Sequence, residues 1–321
     1  MFNETVDKPK PEGSQAIIKI HSFGLNRMDI LERQGNYPVP AGSNGIMGVE
    51  FSGIIEELGP EANSSDKEHF EVGDEVFGLA YGGAYSEYIA ASTHMLISKP
   101  KELSWEEAAG IPEVWITALQ ALYFVAEFTA GKRVLWHAGA SSVSIAGIQL
   151  SKIGGASAVY ATTRQDEKNK FLVKELGIDG AFNTTHSTWA DELFEATNGE
   201  GVDVIIDYIG APVFQDNIKV LARDGRIVCL AALGGSKLPE GTDIGLMYRK
   251  RARIEASGLR SRTPEYQGKL RDWFVENALP KFLDGTYKVL IEETFDWKDI
   301  VEAHKLMESN KTKGKLICTI S

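Results

Sequence analysis

The chain has 321 residues, of which 43% are hydrophobic and 25% charged, and its formal net charge is −11. This composition is typical of a folded globular protein rather than a disordered or fibrous one, and the length allows two domains. The excess of negative charge argues against nucleic acid or an anionic membrane as the main partner, because such partners need a basic surface. No apolar run is long enough to span a bilayer and the polar N-terminus lacks the apolar core of a signal peptide, so we expect a cytoplasmic location.

The two cysteines, Cys229 and Cys318, each lie within an apolar, strand-like run. Two cysteines make neither a disulfide framework nor a cysteine-rich zinc site. We therefore interpret both as small buried hydrophobic residues.

Residues 15–99 consist of short apolar or alternating runs such as "QAIIKIHSFGLN" and "VEFSGIIEELG", separated by Gly, Pro, Asp and Asn. This spacing predicts a β-barrel or β-sandwich domain. One helix, "RMDILERQG", is expected directly after Asn26.

After Pro100 the pattern changes to strands that alternate with amphipathic helices. A Ser-x-x-Glu capping box opens the helical stretch "SWEEAAGIPEVWITALQALYFVAEF", and apolar strands such as "RVLWHAG", "AVYATT" and "VDVIIDYIG" follow. Apolar strands joined by helices predict a parallel sheet covered on both faces, which is a doubly wound α/β fold. The last sixty residues are expected to form helices and two short strands, "VLIEETF" and "KLICTIS".

The strand "RVLWHA" leads into a tight turn and then into a helix, as in a dinucleotide-binding unit. The glycine fingerprint of such a turn would read Gly139-x-Ser141-x-x-Ser144 here, so serines replace two of its three glycines. A serine at the helix-packing position is expected to push the helix outward unless its hydroxyl finds a phosphate or a helix N–H. A plain strand-to-helix turn is the alternative interpretation. The residues expected to hold the pyrophosphate are Gly139, Ala140, Ser141, Ser142 and Val143.

The end of the next strand indicates which cofactor would bind. An NAD enzyme usually carries an acidic residue there for the ribose hydroxyls, whereas this chain has Thr163 and Arg164, with Lys168 one helical turn later. Two cations and no acid suit a 2′-phosphate, and hence NADP(H). The alternative is that both cations are solvated charges beside a helix.

The sequence resembles the medium-chain dehydrogenase/reductase superfamily in four segments. They are "GLNRMDILERQGNYPVPAG", "AAGIPEVWITALQAL", "VLWHAGASSVSIAGIQLSK" and "EAHKLMESNKTKGKL". Within that superfamily it is most similar to the zinc-free quinone oxidoreductases of the zeta-crystallin type. The resemblance implies a GroES-like β-barrel domain of residues 1–111 and 261–321. A Rossmann domain of residues 112–260 would bind NADP(H).

The resemblance also provides a test for zinc. The positions at which zinc alcohol dehydrogenases of this superfamily hold the catalytic metal are occupied here by Asn26, Val49 and Glu113. Because zinc needs three or four N, S or O ligands, we expect no metal site.

By resemblance, Asn26 and Tyr37 lie beside the nicotinamide and the acceptor, and they are the expected catalytic residues. On sequence alone, the favoured interpretations are that Asn26 is a helix N-cap and that Tyr37 is a turn residue that packs on prolines. The resemblance also implies cofactor contacts from Tyr37, and the remaining expected cofactor residues are Thr117, Thr184, Ile209, Gly210, Leu233, Gly234, Leu259 and Arg260.

These features predict a zinc-independent quinone oxidoreductase that transfers hydride from NADPH to a small-molecule quinone. One alternative is a reductase of α,β-unsaturated carbonyls or aldehydes on the same fold. Another is an NADPH-binding sensor or structural protein with little turnover, which the altered turn suggests. The resemblance further implies a homodimer, with "RIVCLAALGG" as the segment expected to join two sheets edge to edge.

Overall fold

The computed structural model describes residues 5–37, 39, 45–64 and 69–321. Its strands are β1 (Gln15–Gly24), β2 (Glu50–Leu58), β3 (Glu75–Leu79), β4 (Tyr88–Ser92), β5 (Leu96–Ser98), β6 (Arg133–Trp136), β7 (Ala158–Thr163), β8 (Gly180–Asn183), β9 (Val202–Asp207), β10 (Leu221–Cys229), β11 (Arg253–Ala256), β12 (Ile291–Asp296) and β13 (Lys315–Thr319). Its α-helices are α1 (Arg27–Arg33), α2 (Trp105–Ala109), α3 (Pro112–Leu119), α4 (Ser142–Ile153), α5 (Asp166–Glu175), α6 (Trp189–Ala196), α7 (Phe214–Val220), α8 (Gly245–Lys250), α9 (Pro264–Asn277), α10 (Leu279–Leu283) and α11 (Ile300–Glu308).

The chain divides into two units by internal contacts. Unit 1 comprises Met1–Ile116 and Arg260–Ser321, and unit 2 comprises Thr117–Leu259. These limits place residues 112–116 and Arg260 in unit 1, whereas the sequence assigned them to the nucleotide domain.

Unit 1 contains, within its described residues, a seven-stranded sheet in the order β12-β13-β1-β2-β3-β5, with β4 also paired to β1. The C-terminal strand β13 pairs antiparallel with the end of β1, where Phe23 lies opposite Cys318. The core of this unit combines apolar side chains from both ends of the chain, among them Ile18, Phe51 and Leu316. The predicted GroES-like β domain is therefore confirmed.

Unit 2 is a parallel sheet of six strands within its described residues, in the order β11-β10-β9-β6-β7-β8. The strand order reverses direction between β6 and β9. In open α/β sheets, ligands bind outside the carboxyl ends of the strands at this switch point. The predicted doubly wound fold is confirmed, and the loops after β6, β7 and β9 are where a ligand is expected.

Three local expectations are refined by the structure. The Ser104 and Glu107 capping box is formed by reciprocal hydrogen bonds of 3.1 and 2.9 Å, but the helical stretch after it divides into α2, α3 and a π-helical turn over Gln120–Val125. The strand β11 was not predicted, because its four residues include the charged Arg253 and Glu255 and give no apolar strand pattern. The segment "RIVCLAALGG" cannot join two sheets through β10, because β10 is paired on both sides and the edge strands of the described sheet are β11 and β8.

Both cysteines lie in strands as expected, and both thiols are free. Cys318 is fully buried in β13, and Cys229 is partly buried at the end of β10. Burial raises the pKa of Cys229 to about 11 and that of Cys318 to about 12, so both thiols hold their protons at neutral pH.

No helix among the described residues is long and apolar enough to cross a membrane.

Candidate active site

The predicted pyrophosphate turn joins β6 to α4 in unit 2. Ser141 is the N-cap of α4, and its hydroxyl accepts a hydrogen bond of 3.3 Å from the Ser144 N–H. The Gly139 N–H is held by the Thr162 carbonyl at 2.8 Å. The first N–H groups of a helix lack partners within the helix and lie at the positive end of its dipole. The turn therefore has the local geometry of an anion site, formed around Gly139, Ala140, Ser141, Ser142 and Val143.

The serine at the helix-packing position has a backbone partner. Ser144 is fully buried, and its hydroxyl donates to the His137 carbonyl at 2.7 Å. A Cβ on Gly139 would lie 2.7 Å from the Ala161 Cβ, so this turn position does require glycine. The hydroxyl of Ser144 thus binds the backbone that precedes the turn rather than pointing outward to a phosphate.

Close packing between strand and helix depends on Gly147, which the sequence analysis did not single out. A Cβ there would lie 2.1 Å from the ring of Trp136 in β6. Gly147 therefore performs the packing role of the third fingerprint glycine, three residues further along the helix. A large aromatic residue in the strand followed by a glycine on the buried face of the helix is the signal that could have revealed it.

The residues predicted for the 2′-phosphate lie together at the ends of β7 and β8. The Thr184 N–H donates to the Thr163 carbonyl at 2.9 Å, and the Thr163 hydroxyl accepts from the Gln165 N–H at 3.1 Å. Arg164 is exposed and makes no ion pair with the residues that the structure describes. Lys168 lies on α5, one turn away, and is half-buried. The side chain of Arg164 is thus accessible to an anionic ligand.

Two further loops at the same edge of the sheet are hydrogen-bonded to each other. The Leu233 N–H donates to the Tyr208 carbonyl and the Gly234 N–H to the Ile209 carbonyl, both at 2.9 Å. Gly210 has a φ of 84°, and a Cβ there would lie 2.7 Å from the Gly235 carbonyl oxygen. Three of the predicted residues, Ile209, Gly210 and Gly234, are therefore brought together by backbone hydrogen bonds, and Leu233 in the same loop is 48% exposed.

The remaining cofactor predictions fall elsewhere. Leu259 is buried at the end of unit 2, and Thr117, in α3, is half-buried. Arg260 belongs to unit 1, where its Nη1 donates to Glu32 at 2.7 Å and its Nε donates to the Tyr81 carbonyl at 3.0 Å. Its guanidinium also lies 5.7 Å from the centre of the Tyr37 ring, within the range of a cation–π contact. A role for Arg260 at the cofactor stays a prediction.

Unit 1 contains a candidate site of its own, a buried polar cluster around Asn26. Asn26 occupies the N-cap position of α1, but its amide is directed at two other side chains. The Nδ2 donates to Glu50 at 2.8 Å, and the Oδ1 accepts from the Lys315 ammonium, also at 2.8 Å. Because both ends of the amide are held, its orientation is fixed.

The ion pair between Glu50 and Lys315 holds this amide. The Lys315 ammonium contacts Glu50 directly and also donates to the Leu25 carbonyl at 2.9 Å, while the second Glu50 oxygen accepts from the Glu113 N–H at 2.8 Å. Both charged side chains are almost completely inaccessible to solvent. A Cβ on Gly24 would lie 2.4 Å from a Glu50 oxygen, so the absence of a side chain at Gly24 makes room for the pair.

Two carboxyls close to this pair are held partly protonated. Burial raises the pKa of Asp29 to about 7, and burial together with the negative charge of Glu50 raises the pKa of Glu113 to about 7. The Asp29 Oδ2 accepts from the Asn26 N–H and the Tyr85 hydroxyl, whereas its Oδ1 has no partner among the described residues. An orphaned oxygen of this kind fits a carboxyl that carries a proton.

Tyr37 is half-buried beside Arg260. Burial first, and then the negative charge of Glu113, raise its pKa above the usual value, and Arg260 acts in the opposite direction. The phenol therefore keeps its proton at neutral pH and can donate a hydrogen bond. The alternative, that Tyr37 packs on Pro38 and Pro40, concerns residues outside the described part of the chain.

Comparison with known families assigns both units. Residues 12–101 match the family described as alcohol dehydrogenase GroES-like domain, and residues 142–276 match the family described as zinc-binding dehydrogenase. The chain belongs to the medium-chain dehydrogenase/reductase superfamily.

The solved structures that resemble this member of the superfamily include a complex with NADPH, enoyl reductases and an alcohol dehydrogenase. A mycobacterial protein solved in complex with NADPH is 26% identical, with a TM-score of 0.85 over 98% of this chain and 94% of that one. The JamJ enoyl reductase is also 26% identical, with a TM-score of 0.84 over 99% and 94%. An NAD-dependent alcohol dehydrogenase is 27% identical, with a TM-score of 0.82 over 99% and 95%.

The curated relatives are much longer proteins. Squalestatin tetraketide synthase from Phoma sp. is 31% identical over 94% of this chain, and a phenolphthiocerol/phthiocerol polyketide synthase subunit from Mycobacterium tuberculosis is 28% identical over 98%. The chain spans only 11% and 14% of their respective lengths.

The residues of this member do not suit the zinc of the zinc-binding relatives. Asn26 already accepts a hydrogen bond from the Lys315 ammonium, Val49 offers no ligand atom, and a buried cation next to them repels a second one. No group of three or more His, Cys, Asp or Glu residues in the described part of the chain could hold a metal ion. The residues at these positions therefore do not suit a zinc-dependent reaction.

Proposed function

We propose that the chain is an NADPH-dependent, zinc-independent oxidoreductase that transfers hydride from the C4 position of reduced nicotinamide to a quinone. The observation that supports NADPH most directly is the carboxyl edge of unit 2, where an N-capped helix end and the accessible Arg164 follow neighbouring strands. A helix N-terminus suits a pyrophosphate, and an arginine suits a 2′-phosphate. The solved relative in complex with NADPH supports the same cofactor.

In this proposal the protein positions the acceptor and the cofactor supplies the hydride. Tyr37, whose raised pKa keeps the phenol protonated, donates a hydrogen bond to the acceptor oxygen as negative charge develops there. The Asn26 amide, fixed by Glu50 and Lys315, presents its remaining N–H and lone pair to the nicotinamide amide or the acceptor carbonyl. The acceptor is a small electrophilic carbonyl compound.

The comparisons favour a second acceptor class, the α,β-unsaturated carbonyls. The JamJ and CurK structures are both described as enoyl reductases, and the curated relatives include polyketide synthases. A quinone is itself a conjugated carbonyl, so one active site could reduce both classes. An NADPH-binding protein with little turnover remains the third candidate.

Purified protein incubated with NADPH and one acceptor at a time distinguishes these candidates by the loss of absorbance at 340 nm. Quinone oxidoreductase activity predicts turnover with a simple naphthoquinone, whereas enoyl reductase activity predicts turnover with an enoyl thioester.

We expect Tyr37→Phe to lower kcat at least tenfold, because a hydrogen bond to a developing oxyanion is worth about 1.5–3 kcal/mol. Tyr248→Phe is the matched control, since Tyr248 is 76% exposed in unit 2.

Each alternative has its own outcome in this assay. Reduction of aldehydes alone would refute both conjugated-carbonyl candidates, and NADPH binding without any turnover would support the sensor or structural protein.

The resemblance also leads us to propose a homodimer in the cytoplasm. Light scattering of the purified protein tests the first of these proposals, and fractionation of cells that express it tests the second.

A further inference from the structure

Four buried polar side chains form a continuous hydrogen-bonded line beneath the carboxyl edge of the unit 2 sheet. We call Thr162, His137, Asn217 and Asp207 the edge network. The His137 Nδ1 lies 2.7 Å from the Thr162 hydroxyl, its Nε2 lies 2.7 Å from the Asn217 Oδ1, and the Asn217 Nδ2 donates to Asp207 at 3.0 Å. All four residues are at most 2% exposed.

The partners fix the direction of each hydrogen bond. Because the Asn217 amide nitrogen donates to Asp207, its oxygen must accept from the His137 Nε2–H. The His137 Nδ1 of the neutral ring then accepts from the Thr162 hydroxyl. Burial lowers the pKa of His137, which favours this neutral ring. Each side chain thus has one defined orientation.

The ends of the edge network hold the loops at which the cofactor is expected. One Asp207 oxygen accepts from the Ile209 N–H at 2.6 Å and from the Gly210 N–H at 3.1 Å. At the middle of the network, the His137 carbonyl accepts from the Ser144 hydroxyl of the pyrophosphate turn. At the other end, Thr162 precedes Thr163 and Arg164, and its carbonyl holds the Gly139 N–H.

Burial of a polar side chain costs desolvation free energy, and its hydrogen bonds do little more than offset that cost. Apolar side chains at these four positions would avoid the cost, so stability alone does not explain the edge network. Loops at the end of a sheet lack the regular ladder that fixes strands. A set of oriented side chains beneath them supplies that missing constraint.

We propose that the edge network is a positioning unit that holds the pyrophosphate turn and the Tyr208–Gly210 loop in one arrangement for the dinucleotide. It rests on the proposed NADPH function. Removal of the Thr162 hydroxyl therefore weakens cofactor binding, although Thr162 itself is buried beneath the loops. Its loss leaves the His137 Nδ1 without a donor, and the orientation of the ring is no longer fixed.

The test uses Thr162→Val, which keeps the shape of the side chain and removes its hydroxyl. The dissociation constant for NADPH is measured by nicotinamide fluorescence, and the stability of the same samples by thermal unfolding. We expect Thr162→Val to raise the dissociation constant about fivefold to tenfold and Thr162→Ser to restore it to within about twofold. The matched control is Thr197→Val, because Thr197 is also buried and bonds backbone groups, but it lies before β9, at the amino end of the sheet.

A double-mutant cycle tests whether the network acts as one unit. Asn217→Leu removes both the oxygen that faces His137 and the donor to Asp207 without adding a charge, so its effect on the dissociation constant should be non-additive with that of Thr162→Val. Additive effects would overturn the proposal, and so would equal shifts in the dissociation constant for Thr162→Val and Thr197→Val. Wild-type protein that fails to bind NADPH would overturn the proposed function as well, whereas tight binding by both wild type and Thr162→Val would overturn this inference alone.

Discussion

Arg164 is the residue on which the choice between NADPH and NADH depends. Its guanidinium is exposed at the end of β7 and has no ion pair among the described residues. We expect Arg164→Ala to raise the dissociation constant for NADPH tenfold or more, because a charge-assisted contact is worth about 1.5–3 kcal/mol. The dissociation constant for NADH should change little, since NADH lacks the 2′-phosphate. Fluorescence titration with each cofactor measures both values.

The control for this substitution is Lys174→Ala. Lys174 lies in the last turn of the same helix, α5, with its side chain 84% exposed. The substitution Lys174→Ala removes the same charge as Arg164→Ala, but at a position far from the end of β7. It should therefore leave the dissociation constants for NADPH and NADH within about twofold of the wild-type values. Equal losses of NADPH and NADH affinity in Arg164→Ala would contradict a 2′-phosphate contact.

For single residues, the sequence was sufficient to predict roles that depend on adjacent parts of the chain. It was not sufficient for roles that depend on contacts with residues distant in sequence. The Ser141 cap and the Arg164 position follow from a strand, a turn and a helix in succession. Gly147 was missed because its role depends on the Trp136 ring, which reaches across from the preceding strand. Asn217 was missed because its partners, His137 and Asp207, come together only when α7 packs on the sheet.

The ion pair between the first residue of β2 and the first residue of β13 shows the same limit at the scale of elements, because β1 separates the two strands in the sheet. Their residues Glu50 and Lys315 are 265 positions apart, and the family resemblance rather than hydrophobic periodicity joined the two ends of the chain. The strands themselves were predictable from alternating apolar residues, and "KLICTIS" forms β13 as expected. The registers in which β1 pairs with β2 and with β13, and hence the buried ion pair, were not predictable.

The buried pair should respond differently to single and double substitution. Lys315→Met leaves the Glu50 carboxylate buried without its counter-ion, and we expect the free energy of unfolding to fall by about 3–5 kcal/mol. The double substitution Glu50→Leu with Lys315→Met removes both charges and should recover part of that loss. Recovery is incomplete because the Asn26 amide and the Glu113 N–H lose their partners. Urea unfolding of the three proteins measures these differences.

Lys305→Met supplies the matched control in the same unit. Lys305 pairs with Glu302 on α11, and both side chains are more than 60% exposed. An exposed pair contributes less than about 1 kcal/mol, so this substitution should hardly change stability. If Lys315→Met proved as mild as Lys305→Met, the buried ion pair would not contribute to stability as proposed.

For the whole molecule, the buried carboxyls of unit 1 link stability to pH. Asp29 has a folded pKa of about 7, raised by burial from an ordinary value of 3.8. A group whose pKa is raised on folding stabilises fully below its unfolded pKa, and that contribution is lost as pH rises through the folded value. Asp29 therefore lowers the stability of the protein progressively between pH 4 and pH 7. Asp296 has the opposite sign, because the Lys298 N–H and the Ser321 hydroxyl lower its pKa.

Comparison of wild type with Asp29→Asn isolates this contribution, because every other titrating group is common to both proteins. We expect the variant to gain stability relative to wild type by a few kcal/mol as pH rises from 4 to 7, since each unit of pKa shift is worth about 1.4 kcal/mol. Urea unfolding at pH 4.5, 5.5, 6.5 and 7.5, values chosen to bracket that window, measures the difference. The control Asp296→Asn should show no such rise above pH 5, because that carboxyl is already ionised there. Parallel curves for wild type and Asp29→Asn would mean that Asp29 is ionised throughout, and that the unpartnered Oδ1 does not mark a bound proton.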